Sequence, residues 1–184
     1  MPNPPGRSSS REKLLDAAAE LIATHSVQEL TLEGVAAAAG VTKAGLIYHF
    51  KTKDDLLGAL VERMSQELDQ RSRTKAAQRG ATISARLMAL VDDTFDMPAS
   101  EKRLQANLLA AATSYPHLLG PVQQLFDRTY GELSDTGPEA GLALVVAAAL
   151  DGLLLLELLN LHQFSPQQHA AMRQAMQQLA QRFD

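Results

Sequence analysis

Between Thr31 and Lys53 the chain reads TLEGVAAAAGVTKAGLIYHFKTK, and Gly40 falls where a helix has to stop. Thr31 is a good N-cap, and Val35, Ala36 and Ala39 make one apolar face on the helix after it. Gly40 ends that helix, because glycine takes the left-handed conformation that a helix end usually needs. Val41 then turns inward and Thr42 caps a second short helix, Lys43 to His49, on which Leu46 and Phe50 are spaced i, i+4 toward the core. The spacing predicts a helix-turn-helix, a motif whose second helix can lie in a DNA major groove. Lys43, Ala44 and Gly45 occupy its exposed first turn, where a helix meets base edges.

The rest of the chain reads as helices joined by breaks. Helix one is expected over about Ser10 to His25, with Ser9 and Glu12 at capping-box spacing and a stripe of Leu14, Leu15, Ala18, Leu21 and Ile22. Thr52 caps a fourth helix with Asp54 and Asp55 in its first turn, favourable against the helix dipole. This helix is expected to run to about Ala77 and to link a compact head to a second domain. Further helices are expected over Thr82 to Phe95, from a cap at Ser100, and from a first-turn proline at Pro116, with Gly120-Pro121 kinking or interrupting the last of these near its start. Asp135-Thr136-Gly137-Pro138 is a break. The most apolar stretch, Ala140 to Leu161, follows, and Ser165-Pro166-Gln167-Gln168 starts a final helix carrying Met172, Met176, Leu179 and Phe183 at i, i+4, i+7, i+11. No clean alternating run supports a strand, so the fold class is all-α: a three-helix helix-turn-helix head over residues 1–53, helix four as the link, and a helical bundle over 77–184.

Charge and composition narrow the function classes. The net charge is −4, but residues 1–53 hold +1 and the remainder −5, a weakly basic head on an acidic body that suits local DNA contact. There are no cysteines, which excludes disulfides and thiolate metal sites and fits a reducing cytoplasm. The opening MPNPPGRSSS lacks the apolar core of a signal peptide and reads as a Pro/Gly/Ser arm, solvated or touching DNA through Arg7 and Arg11. Ala140–Leu161 is long enough to span a bilayer, but Asp151 at its middle and Glu157 beyond would each cost a few kcal/mol in hydrocarbon. A buried bundle helix at an oligomer interface is the expected role, with the Met172, Met176, Leu179 and Phe183 stripe beside it as the dimer contact.

No Gly-rich phosphate loop, G-x-S-x-G or H-E-x-x-H is present, so no enzymatic activity and no cofactor are expected. His162 and His169 are seven residues apart, and a metal site there would need a third ligand, for which Asp151 or Glu157 are the candidates; no metal site is expected.

The run AGVTKAGLIYHFKTKDDLL resembles the DNA-binding segment of the TetR family of one-component bacterial repressors. The resemblance rests on Ala39-Gly40-Val41, Thr42, Leu46, Tyr48-His49-Phe50, Lys53 and Leu56-Leu57, within about residues 10–60. Two departures are Gly34, where the family usually has an acidic or polar residue and which costs roughly 1 kcal/mol of helix propensity, and Ile47, where many members have an aromatic residue that Tyr48 can replace. The resemblance implies that Thr31, Thr42, Tyr48, His49 and Lys53 contact the DNA backbone. Lys43 is then the best base reader, since an ammonium can bond guanine O6 and N7, while Ala44 and Gly45 allow close approach.

The resemblance also implies a homodimer formed through the last two helices. The expected function is a transcriptional regulator, a repressor released from a palindromic operator by a small lipophilic effector. Asn107, Tyr115, Tyr130, Asp151 and Glu157 are the candidates for polar effector contacts, and an acidic one among them favours a cationic ligand. For Asp151 and Glu157 the competing expectation is a partner across the dimer, such as Arg173 or Gln174. Two rival readings are a ligand-binding or enzymatic helical bundle, and a DNA-binding protein without any effector.

Overall fold

The computed structural model describes residues 9–135 and 137–183. The arm carrying Arg7, and Thr136 within the predicted break, lie outside the described residues. Nine α-helices run along the described chain: α1 Ser10–Thr24, α2 Leu32–Ala38, α3 Lys43–His49, α4 Lys53–Gln78, α5 Ile83–Phe95, α6 Ala99–Ala111, α7 Leu119–Ser134, α8 Ala140–Leu158 and α9 Pro166–Ala180. Short 3₁₀ turns precede α7 and α8 and follow α9, and there is no strand among the described residues.

The caps explain most of these boundaries. Ser9, Thr31, Thr42, Thr52, Thr82 and Ser165 each accept a backbone N–H of the first turn through the side-chain oxygen. Thr52 with Asp55, and Ser165 with Gln168, form reciprocal capping boxes that satisfy two otherwise orphaned donors. Gly40 has φ +63°, and the bonds from Gly40 N to Ala37 O and from Val41 N to Ala36 O close the end of α2 as a Schellman motif. Asn160, at φ 53°, closes α8 in the same way, with Leu161 N donating to Leu156 O.

One local expectation is corrected and two are sharpened. Ser100 does not cap α6, which begins one residue earlier, behind Pro98, without a side-chain cap. The helix expected from Pro116 is interrupted near its start, as a 3₁₀ turn over Pro116–Leu118 followed by α7, while Pro121 itself is the third residue of α7, where a missing N–H takes no intrahelical bond away. The Met176, Leu179 and Phe183 side of α9, expected at a dimer contact, packs partly on the core of its own subunit, with Leu87 and Val91 of α5 and Val146 and Leu150 of α8, and stays half-buried. Met172 is half-buried on the same helix.

Two apolar cores organise the molecule. The first gathers Leu14, Leu15 and Ile22 of α1, Val35 of α2, Leu46 of α3, Phe50, and Leu56, Leu57 and Leu60 of α4, and continues onto Leu104 and Leu108 of α6. The second is built by α5, α7, α8 and α9. The head is thus joined to the body by shared packing on α6 as well as by α4.

Polar contacts fix that joint. The last carbonyls of a helix have no partner of their own, and those of α1 are capped from far along the chain. Asn107 Nδ2 donates to Ile22 O at 2.6 Å and to His25 O at 2.8 Å, and Arg103 Nε donates to Ala23 O at 3.2 Å. On the other flank of α1, Arg63 of α4 donates to Asp16 at 2.7 Å and to Glu12 at 3.1 Å. Replacing Asn107 with Ala strips two carbonyls of their donor and should lower stability by about 1–3 kcal/mol. Urea unfolding of both proteins measures this, and an unchanged midpoint would show that water replaces the amide without loss.

Candidate functional site

The first candidate surface is the face of α3 turned away from the core. Leu46 and Phe50 are buried beneath it, and Phe50 is covered in turn by the Arg11 guanidinium, 5.5 Å from its ring centroid. With those two residues inward, Thr42, Lys43, Ala44 and Tyr48 are exposed, as is Thr31 at the start of α2. Tyr48 is 84% exposed, the most exposed of the large apolar side chains among the described residues. His49 is half-buried, its ring edge-to-face with Tyr48 at 5.1 Å.

The structure adds three qualifications to the assigned roles. The hydroxyls of Thr31 and Thr42 already accept the N–H groups of Gly34 and Gly45, so they hold the helix ends while facing outward. Lys43 is paired with Glu33 at 2.7 Å, and that hydrogen bond holds the Glu33 carboxyl below its ordinary range. Lys53 is turned inward: its ammonium donates to Gln28 O at 3.3 Å, and burial lowers its pKa. Gly45 has a packing reason as well, since a Cβ there would meet Val41 Cγ1 at 2.9 Å.

The second candidate is a cavity of about 270 Å³ between α4, α5, α6, α7 and α8. Met64, Leu68, Leu90, Leu109, Phe126 and Leu154 give it a mostly aliphatic wall. Three carboxylates reach this wall. Asp93 is matched by Arg71 and Lys75, and Asp69 by Arg73, Arg86 and Arg128. Asp151 meets no basic side chain among the described residues; its Oδ2 accepts the Tyr130 hydroxyl at 2.6 Å. Burial raises the Asp151 pKa, and the hydrogen bond from Tyr130 offsets only part of that rise. The same burial and the Asp151 carboxylate push the Tyr130 phenol upward.

Of the five residues expected to contact an effector, Asp151 alone lines the cavity, with Tyr130 directly behind it. Asn107 is corrected to the α1 joint, where its amide is consumed by backbone carbonyls. Tyr115 packs on the head core instead. Glu157 is bound within the subunit by Lys102 at 2.7 Å and His169 at 2.5 Å. Burial pushes Glu157 up, but those two hydrogen bonds outweigh it and hold the carboxyl below its usual range. Arg173, expected to meet Asp151 or Glu157 across a dimer, instead binds Asp92 and Asp96 of α5. No group of three metal-ligating side chains occurs among the described residues.

The sequence reading also missed two cavity residues. The Gln105 amide nitrogen and Arg86 Nε are buried at the wall without a hydrogen-bond partner. Gln105 lies one position beyond the apolar stripe of Leu104, Leu108 and Ala111. The second spacing, Gln105, Leu109, Ala112, was the available signal.

Comparison with known proteins decides the family. A family model described as "Bacterial regulatory proteins, tetR family" matches residues 14–60, and one described as "Tetracyclin repressor-like, C-terminal domain" matches residues 84–181, more than half of the chain. The chain belongs to the TetR family of transcriptional regulators. Among TetR-family relatives, the HTH-type transcriptional repressor KstR2 of Rhodococcus jostii is 31% identical over 91 residues, which are 50% of this chain and 44% of that protein. The match therefore spans less than half of that relative's length.

Solved structures share the fold at low identity. A putative regulator from Saccharomonospora viridis in complex with choline superposes with a TM-score of 0.74 at 22% identity, covering 95% of this chain and 97% of that one. The multidrug binding protein EbrR complexed with ethidium gives 0.68 at 22% identity, covering 93% and 98%. The TetR-family helix-turn-helix segment thus coincides with α2 and α3, and the TetR-like C-terminal match with the helices that enclose most of the cavity.

Two measurements test these sites. Glu33→Gln frees Lys43 and removes a negative charge beside the outer face of α3, so affinity for DNA of every sequence is expected to rise at low salt; a fall would mean that Glu33 itself contacts DNA. Asp151→Asn removes a carboxylate whose folded pKa is raised. Such a group favours folding only while protonated, and stability is lost as pH climbs from the ordinary carboxylate range through the raised value. The variant should therefore melt higher than wild type at neutral pH, with the gap closing as the pH falls toward 3.8, the ordinary aspartate value.

Proposed function

We propose that this TetR-family regulator is a homodimeric, cytoplasmic repressor whose two heads bind a palindromic operator and release it when a small molecule fills the bundle cavity. The observation that carries the reading is the outer face of α3, where Leu46 and Phe50 are committed to the core while Lys43, Ala44 and Tyr48 are left outward. In this reading Thr31, Thr42, Tyr48 and His49 position the DNA backbone, and Lys43 exchanges Glu33 for a base edge. Lys53 acts indirectly, by holding the loop at Gln28. The head is taken as residues 1–53, α4 as the link, and residues 77–184 as the effector and dimerisation region. No enzymatic role is assigned, since regulators of this family act by binding.

The dimer is proposed to form through outward faces of α8 and α9 that differ from the Met172 stripe. On α8, Gly141, Val145, Ala148, Gly152, Leu156 and Leu159 recur every three or four residues, and Val145 is 64% exposed. On α9, Ala171, Gln174, Ala175 and Gln178 are exposed. Small residues on both helices permit the close approach of a four-helix contact about a two-fold axis. The α8 segment has the length and composition of a bilayer span, but its inner side packs on the core residues of α5, α7 and α9. Two proteins of the same fold, solved in complex with choline and with ethidium, lend support to an effector site here.

Selection from random duplex DNA should enrich a palindrome whose half-sites match grooves roughly 34–36 Å apart. Lys43→Ala should cost about 1–3 kcal/mol and relax preference at one base pair per half-site. Recovery of no sequence would reject the repressor reading. Placing Asp at both Val145 and Leu156 alters positions that are exposed in the subunit, so the protein should stay folded but sediment as a monomer and lose operator binding. A dimer that survives would place the interface elsewhere.

A further inference from the structure

Every polar group on the cavity wall can be asked what already satisfies it. Asp69 and Asp93 are each neutralised by at least two basic side chains, and Arg86 donates to Ser72 while facing Asp69 and Glu132. Asp151 differs. It stands half-buried in the most apolar helix of the chain, its Oδ2 is occupied by Tyr130, and its Oδ1 has no protein partner among the described residues. A carboxylate in that setting is short of a cation, and nothing on α7 or α8 beside it supplies one. Gln105 adds an unpaired amide donor to the same wall.

The remainder of the wall is hydrocarbon, with Leu109, Phe126 and Leu154 among its larger side chains. The volume is about 270 Å³, at the lower edge of the roughly 300–1,000 Å³ of sites for drug-sized ligands. At about 30 Å³ per water this is room for on the order of ten non-hydrogen atoms. Phe126 also lines the cavity, and an aromatic ring attracts a positive charge placed over its face.

We propose that the cavity selects a compact lipophilic ammonium ion, with one N–H donated to Asp151 Oδ1 and the hydrocarbon body lying along the aliphatic wall. The proposal rests on the reading of the cavity as the effector site, and it names the chemical class of the effector. A primary or secondary amine fits better than a quaternary one, because the bare Oδ1 asks for a hydrogen as well as a charge. An anion is disfavoured: the charges of the basic groups at the wall are matched by acidic partners, with only the Arg86 Nε–H left unpaired, whereas Asp151 would repel an anion at short range in a poorly screened site.

The test uses three probes of nearly equal size, octylamine, 1-octanol and octanoate, each titrated calorimetrically into the full-length protein at pH 7. Octylammonium should bind roughly ten-fold or more tighter than 1-octanol, and octanoate more weakly than either. In Asp151→Asn the ammonium should fall to the level of the alcohol, while 1-octanol is little changed. Octanoate binding as tightly as octylammonium, or an ammonium preference that survives Asp151→Asn, would overturn the proposal. If the variant does not fold, the wild-type order of the three probes decides alone. Failure of all three probes to bind would overturn the effector-cavity reading and the proposal together. The expected order without any release of DNA would leave the ammonium selectivity of the cavity standing and overturn its reading as the effector site.

Discussion

The C-terminal end of α1 is the joint on which the arrangement depends. A helix that ends inside a protein leaves carbonyl oxygens that something must satisfy. Here the donors come from α6, through Arg103 and Asn107, some eighty residues later in the chain. Each such bond contributes only about 1 kcal/mol net, but an unpaired carbonyl costs more than the bond gains, so the two helices are expected to shift together. Arg63 ties the opposite flank of α1 to α4, and Leu104 and Leu108 extend the head's core onto α6. The head is thus held by two helices, and both of them contribute to the cavity wall.

In the proposed mechanism that geometry is the route from an effector to the DNA-binding surface. Filling the cavity would act on α4 and α6 directly, and α1 would carry α2 and α3 with it. The ligand can shift the heads only to the extent that it binds one arrangement better than the other. Asp151 is placed to supply such a difference, because a carboxylate without a counter-ion is destabilising in the empty protein and stabilising once a cation arrives. The exposed Lys43–Glu33 pair works at the other end in a similar sense. Its charges are well solvated and exchange partners at little cost, so Lys43 is available to a base edge.

Much of this was legible in the residues. The caps at Thr31, Thr42, Thr52, Thr82 and Ser165, the stop at Gly40 and the inward pair Leu46 and Phe50 all follow from local chemistry, which is why the helix-turn-helix could be placed to the residue. The burial direction of α8 could not be read, because a helix that is apolar all round has no periodicity to separate inside from outside. The Met172, Met176, Leu179 and Phe183 spacing was a true amphipathic signal, but a helix with one apolar side uses it first for its own subunit. Asn107 and Glu157 looked like ligand contacts, since polar residues on apolar helices have to bond something. Their partners, Ile22 and His25 for one and Lys102 and His169 for the other, are distant in sequence and invisible to pattern.

The central claim is that cavity and head are thermodynamically coupled through α4 and α6. The most direct measurement is the dissociation constant of octylamine for the free protein and for the protein saturated with its selected operator duplex. Linkage requires that the operator weaken ligand binding by the same factor by which the ligand weakens operator binding. The account predicts a clearly weaker affinity in the operator complex, with the difference reduced in Asn107→Ala, where the α1–α6 joint is loosened. Equal affinities for the free and the operator-bound protein would contradict it.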